Sequence, residues 1–188
     1  MTDRHSEQTR DVAAIAVLVL TGPVGVGKTS VAVALSELLN ERSVAHAAID
    51  MDWLRWCHPS PPHDPFQMQL GLHNLAAVWA NYRGAGATRL VLADIVETRA
   101  TLTGYRGAIP GAAITVVRLH ATLPTLHARL AQREAGASLR WHQRRAGELA
   151  AQLERDALED LCIDTEGRAI GDVAATLLKH IYLEGVNG

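Results

Sequence analysis

Gly22-Pro23-Val24-Gly25-Val26-Gly27-Lys28-Thr29 fits G-x-x-x-x-G-K-[ST] at every fixed position. Each residue type has a chemical reason. Glycines let successive backbone N–H groups turn inward around phosphate oxygens, and a helix that starts at the end of the loop adds favourable partial charge for an anion. Lys28 reaches the β- and γ-phosphates of a nucleoside triphosphate, and the Thr29 hydroxyl is a magnesium ligand. The cofactors expected are ATP and Mg2+, with GTP open as a donor. Ser30 joins the nucleotide-binding set and is not read as a nucleophile. Lys28 and Lys179 are the only lysines in a chain whose other basic residues are Arg and His, so Lys28 at the motif position stands out.

A second group follows 21 residues later, in Ile49-Asp50-Met51-Asp52-Trp53-Leu54-Arg55. Two carboxylates one residue apart at a strand tip can face different ways, one toward a metal and one toward a hydroxyl whose proton it takes. Arg55 has the donors to clamp an anionic group on the acceptor. The competing expectation is a helix cap, with Asp52 capping a turn that begins at Trp53. Trp53 and Trp56 are candidates either for stacking on a flat acceptor or for the core. His58 and His63 flank the prolines of a loop, and no histidine pair has metal-site spacing backed by a third ligand.

Asp94 ends the run Arg89–Asp94, followed by Glu97 and Arg99. Further on, Arg129 and Arg133 share a helix face at i, i+4 spacing, as do Arg140 and Arg144, with Arg145 adjacent. Such like-charge pairs cost about 0.2–0.5 kcal/mol unless an anion compensates. The alternative is a solvated face paired with Glu134 and Glu148.

A phosphate loop followed by D-x-D-x-x-R resembles the small-molecule kinases of the P-loop superfamily. These include adenylylsulfate kinase, gluconate kinase, shikimate kinase and chloramphenicol phosphotransferase, and share a fold like that of the nucleoside monophosphate kinases. The resemblance implies that Asp50 and Asp52 are a base-and-orienter pair at the acceptor, with Asp52, Trp53, Arg55, Asp94 and Arg99 on the substrate side. It implies that Asp94 is a second acidic motif holding the magnesium shell with Thr29. It makes residues 134–147 a lid, with Arg133 the first candidate for stabilising the transferring phosphoryl group and Arg129 the second. Thr165, Gly167 and Arg168 match a turn beside the adenine ring; a plain strand-to-helix turn is the alternative. Arg55 matches the Arg of adenylylsulfate kinase, but Met51 stands where that enzyme and gluconate kinase carry Gly. The activity implied is transfer of the γ-phosphoryl group of ATP to a hydroxyl of a small molecule. The alternatives are a nucleotide-binding switch or regulatory ATPase acting on a protein partner, and a nucleoside or nucleotide kinase.

These residues need a scaffold that brings strand tips together. The continuous apolar run Ala14–Leu20 reads as a strand buried on both faces, and Val44–Ile49, Arg89–Ala93, Ala113–Leu119 and Leu161–Asp164 read as four further strands. Helical patterns separate them at Ser30–Leu39, Phe66–Tyr82, Glu97–Tyr105, Leu123–Glu134, Ser138–Leu158 and Ile170–Leu183. The alternation predicts an α/β, three-layer fold: a five-stranded parallel sheet with helices on both faces and ligands at the carboxyl ends of the strands.

The 188 residues suit a single domain, with residues 1–10 as a loose polar arm. A net charge of −2 leaves no electrostatic footprint for nucleic acid or a membrane surface. The two cysteines, Cys57 and Cys162, have no metal-site spacing and suit a reducing cytoplasm. The run from Val12 to Leu20 is too short to span a bilayer. A monomer or homodimer acting on a small hydroxylated molecule is the expected assembly.

Overall fold

A computed structural model describes residues 14–184; the polar arm expected at residues 1–10 lies outside them. The elements in chain order are β1 (Ile15–Thr21), α1 (Lys28–Glu41), β2 (His46–Asp50), α2 (Met51–Arg55), α3 (Met68–Gly84), β3 (Arg89–Ala93), α4 (Arg99–Ala108), β4 (Ala112–His120), α5 (Leu123–Ala131), α6 (Gly136–Asp156), β5 (Leu161–Asp164) and α7 (Ile170–Glu184). The five strands form one parallel sheet in the order β2-β3-β1-β4-β5.

Strand periodicity divides the core in two. Val17 and Val19 of β1 join Leu90 and Leu92 of β3, Leu75 and Trp79 of α3, and Tyr105 of α4 on one face. Leu18 and Leu20 join Val91, Val117 and Leu119, with Val31, Leu35 and Leu39 of α1 and Val173 and Leu177 of α7, on the other. Both faces of β1 are therefore covered, which is why its sequence is continuously apolar rather than alternating. Within the helix read as Phe66–Tyr82, Leu75 and Trp79 are buried and Leu72 partly so, whereas Tyr82 is exposed.

Helix α2 was not distinguished in the sequence, where its five residues read as a turn with Asp52 as cap. Asp50 is the cap instead: its Oδ1 accepts a 2.9 Å hydrogen bond from Asp52 N, and the helix begins at Met51. The lid segment also differs from expectation. The helix expected to reach Glu134 ends at Ala131, and α6 starts at Gly136 and runs unbroken through Gly147.

Register aligns the site. Leu20 of β1 and Asp50 of β2 both sit opposite Ala93 of β3, so the phosphate loop and both acidic strand tips emerge at one level. Two bonds fix the β3 exit against β1: Asp94 N donates to Leu20 O at 3.1 Å, and Val96 N donates to the buried Thr21 Oγ1 at 2.9 Å. Gly22 turns the chain out of β1 with φ +144°, and a Cβ there would stand 2.5 Å from Leu119 O. Gly22→Ala combines backbone strain with a clash against main chain, and should lower unfolding free energy by about 1–3 kcal/mol in urea titrations. A fully stable Gly22→Ala protein would show that the loop relaxes around the added methyl.

Candidate active site

The loop 22–27 joins β1 to α1, and Val31 N bonds Gly27 O at 2.9 Å as α1 begins. Lys28 curls back over this loop. Its Nζ donates to Gly22 O at 3.0 Å and to Pro23 O at 3.4 Å. Burial depresses the Lys28 pKa below the usual lysine value; Asp52, Asp94 and Asp50 oppose that shift and Arg133 adds to it. Charges on three other segments, the β2–α2 tip, the β3 exit and the chain after α5, thus act on this one ammonium group.

Thr29 Oγ1 donates to Asp50 Oδ2 at 2.5 Å. The hydroxyl of the phosphate loop and the first carboxylate of the acidic tip therefore meet, although 21 residues separate them. Asp52 stands next to them with its side chain 86% exposed. Desolvation, then the negative charges of Asp50 and Asp94, lifts its pKa above the ordinary carboxylate value, against the pull of Lys28 and Arg55.

Asp94 and Arg55 face each other. Arg55 Nη1 donates to Asp94 Oδ1 at 2.7 Å, and Nη2 donates to Oδ2 in a second, parallel bond. The buried Tyr105 hydroxyl also donates to Oδ2. Burial raises the tyrosine pKa well above its usual value and Asp94 raises it further, so Tyr105 keeps the proton it donates. Desolvation works against the Arg55 charge, but the hydrogen bonds to Asp94 outweigh it and raise its pKa. The Asp94 side chain is 1% exposed and that of Arg55 15%. Gly71 of α3 makes room for the arginine stem, because a Cβ there would lie 2.8 Å from Arg55 Cγ. Sequence reasoning assigned Asp94 to magnesium and substrate, and Arg55 to an anionic acceptor. In the structure these two side chains bond each other, and Asp50 lies beside Thr29. Tyr105 was read only as the end of a helix; nothing local marks it as a partner of Asp94.

Oxygen donors are what magnesium takes, and Thr29 Oγ1 with Asp50 Oδ2 beside the phosphate loop fits that preference.

Arg129 ties the nucleotide side together. It donates to Val26 O in the loop at 3.2 Å, and to Thr165 Oγ1 and O at 3.2 and 3.0 Å. The buried Thr165 in turn donates to His120 O at 2.9 Å. Arg168 is turned away: it bonds Asp164 O, Asp172 O and Thr176 Oγ1, which fastens the start of α7. Arg133 is largely exposed and near Glu134, at 3.9 Å. Arg144 pairs loosely with Glu148 at 3.8 Å, and Arg145 binds Glu97 at 2.6 Å. Arg99 opens α4 and is exposed. Trp53 and Trp56 are 68% and 77% exposed, with ring centroids 5.2 Å apart, so neither is a core residue.

Comparison with solved structures places this geometry in a known fold. A gluconokinase from Sinorhizobium meliloti superposes with TM-score 0.53 at 22% identity, covering 90% of this chain and 97% of that one. The adenylylsulfate (APS) kinase of Mycobacterium tuberculosis, in complex with AMPPNP and APS, gives 0.59 at 21% identity over 90% and 98%. The Deinococcus radiodurans tunicamycin resistance protein gives 0.62 at 20% identity over 88% and 95%. The fold is that of the P-loop small-molecule kinases. No family model and no curated protein matches the chain in sequence.

Two outcomes test the site geometry. Asp94→Ala leaves the Arg55 guanidinium buried without its carboxylate and should cost about 3–5 kcal/mol, with Arg55→Met recovering part of the loss in the double variant. Additive losses in the urea cycle would show that the pair is not coupled. In carbon-detected NMR, the Asp52 carboxyl should titrate above an ordinary aspartate, and Asp50→Asn should move its midpoint down by removing a negative neighbour. A midpoint that stays in place would detach Asp52 from Asp50.

Proposed function

We propose that this protein is an ATP- and magnesium-dependent kinase that moves the γ-phosphoryl group to a hydroxyl of a small molecule. The observation that carries the proposal is the 2.5 Å contact from Thr29 to Asp50, which joins the phosphate loop to the acidic tip in a fold shared with small-molecule kinases.

In this reading the loop amides of residues 22–27 and Lys28 hold the triphosphate, with Ser30 at the start of α1. Thr29 and Asp50 would hold a magnesium ion, which would supply charge neutralisation for the triphosphate. Asp52 takes the proton of the acceptor hydroxyl, and its raised pKa brings it nearer the pH at which a base both accepts and releases protons. Arg133 reaches the transferring group, where a cation stabilises charge spreading over the equatorial oxygens. Arg129 and Thr165 border the nucleotide. Arg55 and Asp94 orient α2, and hence Asp52, and contact neither metal nor acceptor. Arg99 stands at the acceptor side. The exposed free thiols of Cys57 and Cys162 suit a reducing cytoplasm.

Nucleotide binding and turnover separate these roles. Lys28→Ala should abolish transfer and weaken binding of an ATP analogue in calorimetry. Asp52→Asn should bind the analogue normally yet turn over about a hundredfold slower, or ~2.7 kcal/mol in the barrier. Asp50→Asn should raise the magnesium concentration needed for half-maximal rate. An Asp52→Asn protein of full activity removes the base assignment. ATP turnover that responds to no hydroxylated compound removes the kinase reading itself.

A further inference from the structure

The acceptor side carries a surface that the phosphate chemistry does not use. Trp53 directly follows Asp52 in α2 and Trp56 closes that helix, and the two indoles form a tilted pair with 32° between their planes. The loop after Trp56 returns to the same place. Gln67 Oε1 accepts from Cys57 N at 3.2 Å and Gln67 Nε2 donates to Cys57 O at 2.9 Å, while Nε2 also reaches Ser60 Oγ at 2.6 Å. This staple closes residues 57–67 into a loop, and Phe66 next to it in sequence is 82% exposed. Asp64 fixes the far side by accepting from Met68 N and Leu70 N at 2.8 and 3.0 Å. Two large apolar rings are thus exposed on the helix that carries Asp52.

The charges on this surface are informative as well. The arginine suited to an anionic acceptor, Arg55, is held by both oxygens of Asp94 and is largely buried. Asp50 caps α2 and Asp52 lies in its first turn, directly before Trp53. A carboxylate or phosphate on the acceptor would meet negative charge and lose its water without gaining the guanidinium.

We propose that the acceptor is a hydroxylated molecule with a flat apolar face and no anionic group, which stacks on Trp53 and Trp56 and presents its hydroxyl to Asp52. This deepens the kinase reading and rests on it for the fate of the hydroxyl, but the stacking surface and the locked arginine stand without it. Aromatic rings recognise flat ligands through dispersion and their quadrupoles, so the selectivity comes from shape and from exclusion of negative charge. The paired, exposed rings leave a second copy of this chain as the competing occupant of the patch.

The test uses the full chain loaded with magnesium and AMP-PNP, with binding read by saturation-transfer NMR. The probe set is several hundred hydroxylated compounds, built as matched pairs that differ by one carboxylate, such as phenyl glucoside with phenyl glucuronide and glucose with glucuronate. The expected result is that binders come from the neutral aromatic members, that each binds about tenfold or more tightly than its carboxylate twin, and that Trp53→Ala and Trp56→Ala each weaken them about tenfold. No neutral aromatic binder, equal or tighter binding of the carboxylates, or binding indifferent to both tryptophan variants would overturn it. A dimer in sedimentation that Trp53→Ala dissolves would also overturn it, by giving the patch to a second copy. Bound compounds are then scored for phosphoryl transfer with ATP. Binding without transfer fails the kinase reading alone, and transfer to an anionic compound fails the acceptor class alone.

Discussion

The pairing of Arg55 with Asp94 is the constraint on which the placement of α2 and α3 against the sheet depends. It joins the tip of β3 to the end of α2 across 39 residues of chain, with two parallel bonds and a tyrosine hydroxyl completing the carboxylate. Burial makes the pair expensive to break, because either partner alone would be a charge left in a poor solvent. Gly71 leaves space for the arginine, Leu75 and Trp79 one and two turns later cover the sheet, and Asn74 donates to Leu54 O at 2.7 Å. Helix α2 is too short to hold itself. It stays in place because its last residue is anchored in this way and its first is capped by Asp50.

That arrangement divides labour between three acids. Asp94 sits deep and serves geometry. Asp50 sits at the junction with Thr29 and caps α2 with its other oxygen. Asp52 is left open at the mouth. Identical functional groups acquire different duties from depth and neighbours alone, which is how a single site can present one carboxylate to a cation and another to a hydroxyl. The nucleotide half is organised separately, with Arg129 bridging the loop and the β5–α7 turn.

What the sequence revealed follows from how local each signal is. The phosphate loop is legible because its chemistry needs fixed spacing within eight residues. Strands β3 and β5 are found at their observed bounds because they are short apolar runs between breakers. The pairing of Asp94 with Arg55 and Tyr105 is not legible, since it exists only once β3 lies between β1 and β2. Arg168 illustrates the same limit: its sequence position suits the adenine side, but α7 offers it two acceptors and the end of β5 a third. The arginine segment reads as a charged helix face in either of its meanings, and only tertiary contacts, Arg129 to Val26 and Thr165 and Arg145 to Glu97, distinguish its members. The exposure of Trp53 and Trp56 and the Gln67 bonds to Cys57 are tertiary features that no periodicity reports.

The attachment of α6 has a mechanical consequence. Arg145 bonds Glu97 Oε1, and Gln152 Nε2 donates to Glu97 O at 3.3 Å, so the middle of the helix is fastened to the β3–α4 connection at two points one and a half to two turns apart. A rod held at two points cannot pivot as a whole. The stretch ahead of these points, from the end of α5 to the third turn of α6, carries Arg133 and Arg140, enters the helix at Gly136 with φ +65°, and is held by Leu139 against the core and by His127 Nε2 at 3.2 Å from Gln143 O. Backbone amides before Arg145 should therefore exchange as a less protected group and those after it as part of the sheet-backed core, with the boundary falling inside one continuous helix.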